Sequence, residues 1–199
     1  MKKIILLFCL VPLLGACTVV RTNLRTSVSS SAPRIRYQRI AVEVLNANGT
    51  RNIQGEWAFR DKFSNGYSQA IPASDLIREG TALTLEQRAK IYQKNKLQGV
   101  LTIRLSPMKD QVSYLGSQRS TYYSRGRHGR VYVSSYEYPM YDESTVQKQE
   151  VRLYDLKSMR PIWLGDGLTY ANYASQDIQT FMNSLADEII KKLTLDGMI

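Results

Sequence analysis

Apolar residues recur along the chain at two different periods, and this pattern divides it into strands and helices. Arg39 to Leu45 alternates apolar and polar positions, is rich in β-branched residues and is followed by the turn residues Asn46 to Gly49. Gly99 to Leu105 is a second β-branched run, and Pro107 follows it. Short β-branched runs that end in turn residues predict strands.

Two helices are predicted between these strands. The first is indicated by apolar residues at near-helical spacing and ends at Gly66; these residues are Ile53, Trp57, Phe59 and Phe63. Thr84 stands three residues before Gln87, the spacing of a capping box, so a second helix begins there and extends to about Lys96. A short strand from Tyr67 to Ile71 separates the two helices.

The last third of the chain predicts an antiparallel hairpin and a closing helix. Thr145 to Tyr154 alternates, and a turn-rich break separates it from the apolar strand Pro161 to Leu168. Within that strand, Gly165-Asp-Gly167 predicts a bulge or a turn. Ser175 is positioned to cap the helix. Its apolar stripe consists of Ile178, Phe181, Met182, Leu185, Ile189 and Leu193.

This order of elements predicts an α+β fold. Its mixed sheet has a βαβαβ opening, a C-terminal antiparallel hairpin and a closing C-terminal helix. We assign residues 39–199 to this single domain, because the 183 residues that follow a 16-residue leader in the chain of 199 suit one domain and a tether. Residues 17–38 are rich in Ser, Thr and Arg, and they predict a flexible, lipidated tether that spans about 25 Å.

The first residues form a separate unit. Two lysines precede an apolar run from Ile4 to Leu14, and two small residues then precede Cys17. This order predicts a bacterial signal peptide over residues 1–16 that ends in a lipobox. The apolar run of 11 residues is shorter than the roughly 17 to 25 residues with which a helix crosses a bilayer. Cys17 is therefore the predicted acylated first residue of the mature chain.

An acylated Cys17 implies a location in the cell envelope, because two or more acyl chains hold a protein stably at a membrane. By resemblance to lipoproteins of Gram-negative bacteria, in which Asp at the next position favours the inner membrane, Thr18 implies the outer membrane. The domain would then face the periplasm. In a host with a single membrane, the same anchor implies the outer side of the cell membrane.

Removal of the predicted signal peptide changes the net charge and the number of cysteines in the mature chain. Without Lys2 and Lys3 the formal net charge falls from +10 to about +8, which favours anionic partners. We expect a membrane partner through the lipid anchor, together with anionic lipid, lipopolysaccharide or envelope proteins, and no nucleic acid. Cys9 leaves with the leader and Cys17 is acylated, so the mature chain has no thiol for a disulfide, a metal site or catalysis. We predict no metal and no cofactor.

Candidate catalytic residues are few. His128 is the only histidine and lies in Ser124-Arg-Gly-Arg-His-Gly-Arg130, which supplies no acidic partner to orient an imidazole base. The carboxylates nearby in the chain have no spacing that indicates a glycan-cleaving pair; they are Glu137, Asp142, Glu143 and Glu150. We therefore predict no catalytic residue and no enzymatic activity.

Three segments carry a resemblance to known proteins: Arg39-Ile-Ala-Val, Leu97-Gln-Gly-Val-Leu-Thr-Ile and Val151-Arg-Leu-Tyr-Asp-Leu-Lys-Ser-Met-Arg-Pro-Ile-Trp-Leu-Gly-Asp-Gly. Over roughly residues 35 to 195 they resemble an uncharacterised family of bacterial outer-membrane lipoproteins, classed as a domain of unknown function. In that family one strand ends in Tyr-Asp and the next carries Val/Ile-Trp, as Tyr154-Asp155 and Ile162-Trp163 do. Arg160-Pro161 departs from its pattern. More remotely, the βαβαβ opening resembles periplasmic α/β modules of envelope-assembly lipoproteins of the curli-export type. The resemblance implies a fold and a compartment, and it carries over no functional residue.

Ser113 to Tyr141 is the candidate binding surface. It holds seven of the thirteen tyrosines, four arginines and one acidic residue. As a protruding hairpin it would contact an anionic envelope component through Arg125, Arg127 and Arg130, because guanidinium groups bind phosphate and carboxylate. Tyrosines would supply flat contact area beside them; these are Tyr122, Tyr123, Tyr132 and Tyr136. The alternative is a hairpin whose tyrosines only stabilise cross-strand pairs.

The sequence therefore predicts a membrane-anchored envelope lipoprotein that acts as a non-catalytic binding or scaffold module for anionic envelope components. An accessory subunit of an envelope export or assembly complex is the alternative. A hydrolase of glycan or lipid is a weaker one.

Overall fold

The computed structural model describes residues 20–63, 68–125, 131–172 and 177–199. These residues form one mixed sheet of seven strands with three helices and a short 3-10 turn. In chain order the elements are β1 (Val20–Val28), β2 (Arg39–Leu45), α1 (Ile53–Phe63), β3 (Gln69–Pro72), the 3-10 turn (Ala73–Asp75), α2 (Leu85–Lys94), β4 (Gly99–Leu105), β5 (Lys109–Arg125), β6 (Val131–Asp155), β7 (Arg160–Asn172) and α3 (Ile178–Leu195). The predicted α+β class is confirmed.

The strands follow the order β1-β7-β6-β4-β2-β3, and β5 pairs with β6. β2 is parallel to both β3 and β4, with a helix in each connection, so the predicted βαβαβ opening is confirmed. Parallel neighbours need such crossovers, whereas β4, β6, β7 and β1 pair antiparallel. β4 and β5 lie one after the other on the same side of β6, with β7 on the other side.

The core lies on both faces of the sheet. On one face, which we call the α1/α3 face, Val151 and Trp163 are buried with Phe59 of α1 and Leu185 of α3. The prediction that Val151 and Trp163 belong to the core of the β6–β7 hairpin is confirmed. On the opposite face, which we call the α2 face, Tyr92 of α2 is buried with Ala41 of β2 and Val100 of β4.

The sequence supplies N-cap candidates for α2 and α3, and in the structure a side chain caps the N-terminus of each helix. At α2 the Gln87 backbone N–H donates to Thr84 Oγ1, and the Thr84 N–H donates to Gln87 Oε1, so the predicted capping box is confirmed. At α3 the predicted cap Ser175 is wrong, because the carboxylate of Asp177 accepts the backbone N–H groups of Gln179 and Thr180. An N-terminal side-chain acceptor satisfies N–H groups that the first turn leaves unpaired.

The apolar stripe of α3 is confirmed except at its first position. Phe181, Met182, Leu185, Ile189 and Leu193 are buried. Ile178, the first residue of the helix, is 38% exposed and contributes little to the core.

The prediction of a flexible tether over residues 17–38 is wrong for Val20–Val28, which forms β1. This strand pairs with β7 along its whole length, from Val20 opposite Ala171 to Val28 opposite Trp163. Its central Leu24 is buried in the core. Thr22 and Thr26 share the inward face, where Thr22 hydrogen-bonds to Thr169 and Ser184, and Thr26 donates to Asp196. The inward positions on either side of Leu24 are therefore occupied by hydrogen-bonded threonines. An alternation of apolar and polar residues, the usual sequence signal of a strand, is absent from β1 for this reason.

The glycines of β7 allow the neighbouring strand β1 to pack closely. The predicted bulge or turn at Gly165-Asp-Gly167 is wrong. Gly165 and Gly167 keep regular pairing with both β1 and β6, and the register shift of β7 lies at Ile162. A methyl group on Gly167 would overlap the carbonyl oxygen of Asn23 and meet Leu24 of β1. The missing side chains therefore let β1 approach β7 closely.

We predict that Leu185→Ala destabilises the domain by about 2 to 5 kcal/mol, because it leaves a cavity between α3 and the sheet. The matched control is Leu195→Ala, in the same helix, where the side chain is 71% exposed and the expected loss is below about 0.5 kcal/mol. Denaturant unfolding followed by circular dichroism measures both. Equal losses for the two variants would contradict the packing of α3 on the sheet.

Candidate binding surface

β5 and the first part of β6 form a hairpin that extends beyond the rest of the sheet. β5 pairs with β6 from Lys109 opposite Val146 to Arg125 opposite Val131. β7 pairs with β6 only from Ser144 onward, so residues 131–143 of β6 pair with β5 alone among the described residues. At about 3.3 Å per residue, these residues span about 40 Å. We call residues 112–125 and 131–143 the projecting hairpin.

The hairpin projects from the end of the sheet at which the chain enters β1. Val20, Ala171 and Thr145 lie in one row across β1, β7 and β6. β1 begins at this row and runs in the same direction as β6. Residues 131–143 precede the row in β6, so the hairpin lies beyond the N-terminal end of β1.

The register separates the predicted binding residues onto two faces. Direct cross-strand partners share a face, and successive residues alternate between faces. Tyr132 lies opposite Ser124, Tyr122 opposite Ser134 and Tyr136 opposite Ser120, so these three tyrosine positions share one face. Tyr123 and Arg125 lie on the other face. Arg127 and Arg130 are outside the described residues, as are His128 and Cys17.

β6 is one strand, so each face of the hairpin continues a face of the sheet. Tyr132 and Tyr136 are even-numbered positions and continue the α2 face, on which Arg152 lies. The position of Tyr123, opposite Val133, continues the α1/α3 face, on which Val151 is buried. The strand register therefore places the described positions of the predicted binding residues on both faces of the hairpin, and these positions do not form one contiguous surface.

Most side chains of the hairpin that the structure describes are exposed, and polar residues predominate among them, although the apolar Val112 and Met140 are exposed as well. Arg119 is exposed and donates from Nη2 to Ser135 Oγ across the hairpin, with an N to O distance of 3.1 Å. Tyr114 is 60% exposed, and its hydroxyl lies 3.1 Å from that of Ser117. A two-stranded hairpin is marginally stable in water, and three strands or a packed face stabilise it. Such a projection is therefore typical of a segment that contacts another surface.

A buried charge cluster extends from Glu43 on the α2 face to Glu56 of α1, and sequence reasoning missed it. Glu43 accepts a hydrogen bond from the Tyr92 hydroxyl at 2.8 Å and another from Arg88 Nη1 at 3.3 Å. Arg51 Nη2 lies 4.0 Å from Glu43, and Arg51 Nε lies 3.6 Å from Glu56. Glu56 is fully buried and accepts the Ser74 backbone N–H at 2.8 Å. The cluster connects β2, α1, α2 and the loop of Arg51.

Burial dominates the electrostatics of this cluster. Burial raises the pKa of Glu56, and the hydrogen bonds from Ser74 together with the charge of Arg51 oppose this rise. Burial also raises the pKa of the Tyr92 hydroxyl, and the adjacent charge of Glu43 raises it further. Tyr92 therefore remains a protonated donor to Glu43. The available sequence signal was Glu43 itself, an acidic residue within the otherwise apolar run of β2.

Three further features of the described residues concern metal ligands, membrane-spanning helices and the carboxylates. The described part of the chain contains no group of three or more His, Cys, Asp and Glu side chains that could hold a metal ion. None of its helices has the length and apolar character needed to cross a membrane. Of the carboxylates considered for glycan cleavage, Glu137 and Glu143 are exposed, and Glu150 lies 3.6 Å from the Arg152 guanidinium.

Comparison with known proteins adds information at the level of the fold. No protein-family model and no curated protein sequence matches the chain. Among solved structures, it is similar to the PelC dodecamer from Paraburkholderia phytofirmans, with a TM-score of 0.50 and 12% identity over 87% of this chain and 97% of that one. It also matches the lipoprotein GNA1162 from Neisseria meningitidis, with a TM-score of 0.42 and 14% identity over 78% of this chain and 97% of that one. The chain shares the fold of PelC.

We predict that Arg51→Met destabilises the domain by about 3 to 5 kcal/mol, because it leaves the buried Glu56 without a cation. The double variant with Glu56→Gln should recover most of this loss. An uncompensated Glu56 would bind a proton more readily in the folded state than in the unfolded state. The deficit of the single variant should therefore shrink as the pH falls below the raised pKa of Glu56 toward its ordinary value of 4.5.

Denaturant unfolding as a function of pH measures these effects. The matched control is Arg78→Met, which removes an exposed guanidinium and should change stability by less than about 0.5 kcal/mol. Additive losses in the double variant would contradict the pairing of Arg51 with Glu56.

Proposed function

We propose that the protein is a lipid-anchored lipoprotein of the outer membrane, and that it acts as a non-catalytic binding or scaffold module for anionic envelope components. The observation that carries this proposal is the position of the projecting hairpin at the end of the sheet where β1 begins. Cys17, the predicted lipidation site, precedes Val20 by only three residues. The anchor and the hairpin would therefore lie at the same end of the domain.

Chain lengths support a contact between the hairpin and lipid. Three residues span at most about 11 Å, whereas the hairpin extends about 40 Å beyond the row that contains Val20. An acylated Cys17 would hold the start of β1 near the membrane, and a hairpin that extends from this end of the sheet would then reach the membrane surface. Arg125, Arg127 and Arg130 would then lie near lipid phosphates, and the tyrosines would supply flat contact area.

The alternative function, an accessory subunit of an envelope export or assembly complex, is favoured by a different observation. The projecting hairpin has strand edges that pair with no other described strand, and such edges can bind a strand from another chain. The solved PelC structure, which has the same fold, is a dodecamer. In this alternative the hairpin would contact neighbouring subunits. Crosslinking in intact cells, followed by identification of the partners, distinguishes protein neighbours from lipid.

We predict that Cys17→Ala abolishes anchoring to the outer membrane, because the thiol that carries the acyl chain is absent. Wild type should sediment with the outer membrane, and the variant should appear in the soluble fraction or as uncleaved precursor. Metabolic labelling with a radioactive fatty acid should mark the wild type alone. If the variant sediments with the outer membrane as the wild type does, the lipid anchor is not what holds the protein there.

We predict that replacing Arg125, Arg127 and Arg130 by Ala weakens binding to anionic vesicles several-fold while leaving the melting temperature unchanged. A protein that lacks residues 1–17 is the starting point, because the apolar leader and the lipid anchor would both hide the effect. Vesicles of phosphatidylglycerol and phosphatidylcholine serve as the probe in a co-sedimentation measurement. Binding should also fall steeply with salt, because the Debye length shortens from about 10 Å at 0.1 M to about 3 Å at 1 M.

A matched control removes the same charge from another surface. Arg78, Lys90 and Lys94 lie on or just before α2 and are exposed, so their replacement by Ala should leave vesicle binding nearly unchanged. Equal weakening by both triple variants would indicate a general effect of net charge. Undiminished binding of the hairpin variant would contradict a role for these arginines.

A further inference from the structure

A cavity separate from the projecting hairpin lies on the α2 face, between α2 and the strands β2 and β4. Its volume is about 160 Å³. The wall on the helix side includes Ala89 and Tyr92, and the wall on the sheet side includes Val100 and Thr102. Leu156, which follows β6, contributes a further apolar wall. Nothing in the proposed membrane contact of the hairpin uses this cavity.

The interior of the cavity is mainly apolar, and its polar groups are one satisfied carboxylate and the hydroxyls of Thr102, Tyr92 and Tyr154. Ala89, Val100 and Leu156 are buried. Glu43 lines the cavity, but its carboxylate already accepts hydrogen bonds from Tyr92 and Arg88 and lies near Arg51. The carboxylate is therefore balanced by its own neighbours and offers no uncompensated charge to a ligand. A cavity of about 150 Å³ with apolar walls can hold a molecule of the size of benzene.

The rim of the cavity combines exposed apolar and cationic side chains. Leu85 at the start of α2 is 72% exposed, and Met159 in the β6–β7 turn is 40% exposed. Met159 has a φ angle of +56°, a conformation that costs a residue other than glycine about 1 kcal/mol or more. Arg88 and Arg104 also line the cavity, and the Arg88 side chain is 36% exposed while it pairs with Glu43. Arg104 is exposed on β4.

We propose that this cavity binds a small amphipathic anion. Its short alkyl or aromatic part occupies the apolar interior, and its carboxylate or similar group lies at the rim near Arg88 and Arg104. Two guanidinium groups and one carboxylate line the cavity, so the lining carries one excess positive charge. This charge favours an anion over an amine of the same shape. The apolar walls stabilise the hydrophobic part by removing it from water.

The test uses n-alkyl carboxylates from butanoate to decanoate, with the n-alkylamines of equal length as controls. We expect the carboxylates to raise the melting temperature of the wild-type protein, with an optimum at the chain length that fills the cavity. The amines should have no such effect. In NMR spectra of the labelled protein, carboxylate should shift the resonances of α2 and β4 and leave those of the projecting hairpin unchanged.

Two variants locate the site. Leu85→Trp covers the rim from an exposed position that the fold tolerates, and Arg104→Gln removes a rim charge without touching the buried cluster. Each should weaken octanoate binding at least five-fold, whereas Arg119→Gln in the hairpin should leave it unchanged. Both variants should keep the wild-type melting temperature in the absence of ligand.

Several results would overturn the proposal. Equal binding of octanoate and octylamine would exclude selection by the rim arginines. Unchanged octanoate affinity in Leu85→Trp would exclude this cavity, and no binding by any carboxylate at millimolar concentration would exclude the ligand class. Loss of self-association in Leu85→Trp without any carboxylate binding would instead identify the cavity as a contact between copies of the chain.

Discussion

The backbone pairing of β6 is the constraint on which the rest of the structure depends. This strand hydrogen-bonds to β4 and β7 in its C-terminal half and to β5 in its N-terminal half. Since strand side chains alternate between faces, the register that buries Val151 and Leu153 beneath α1 and α3 also assigns every position of the projecting hairpin to a face. A shift by one residue would turn the buried set toward the α2 face.

The pairing of β1 with β7 brings the start of the described chain into the sheet. The close approach at Gly167 and the hydrogen bonds of Thr22 make an Arg- and Thr-rich segment part of the domain. The consequence for function is geometric. A long tether would let the domain orient freely, whereas the two residues between Cys17, the predicted acylation site, and β1 would restrict which end of the sheet can meet a membrane.

A cavity remains on the α2 face because α2 covers this face of the sheet only in part. α2 packs on β2 and β4 through Ala89 and Tyr92, and the buried Glu43 holds Tyr92 and Arg88 in place by hydrogen bonds. The small side chain of Ala89 lies beside the space next to this cluster, and the turn with Met159 borders it. The same buried charges that fix α2 therefore also define one wall of the space. Glu43, Arg88 and Tyr92 therefore hold α2 on the sheet and also line the candidate binding site.

The sequence by itself determined the elements whose signals are local: the β-branched runs of β2 and β4, the capping box of Thr84 and Gln87, the apolar stripe of α3 and the α+β class. It also marked the tyrosine- and arginine-rich hairpin by composition. Only the tertiary structure decided that Val20–Val28 is a strand, that Arg51 pairs with Glu56, and that the positions of Tyr122 and Tyr132 share one face of the hairpin. These features depend on pairing and hydrogen bonds between distant residues, such as Thr22 with Thr169, and no local periodicity records which distant group satisfies a polar side chain.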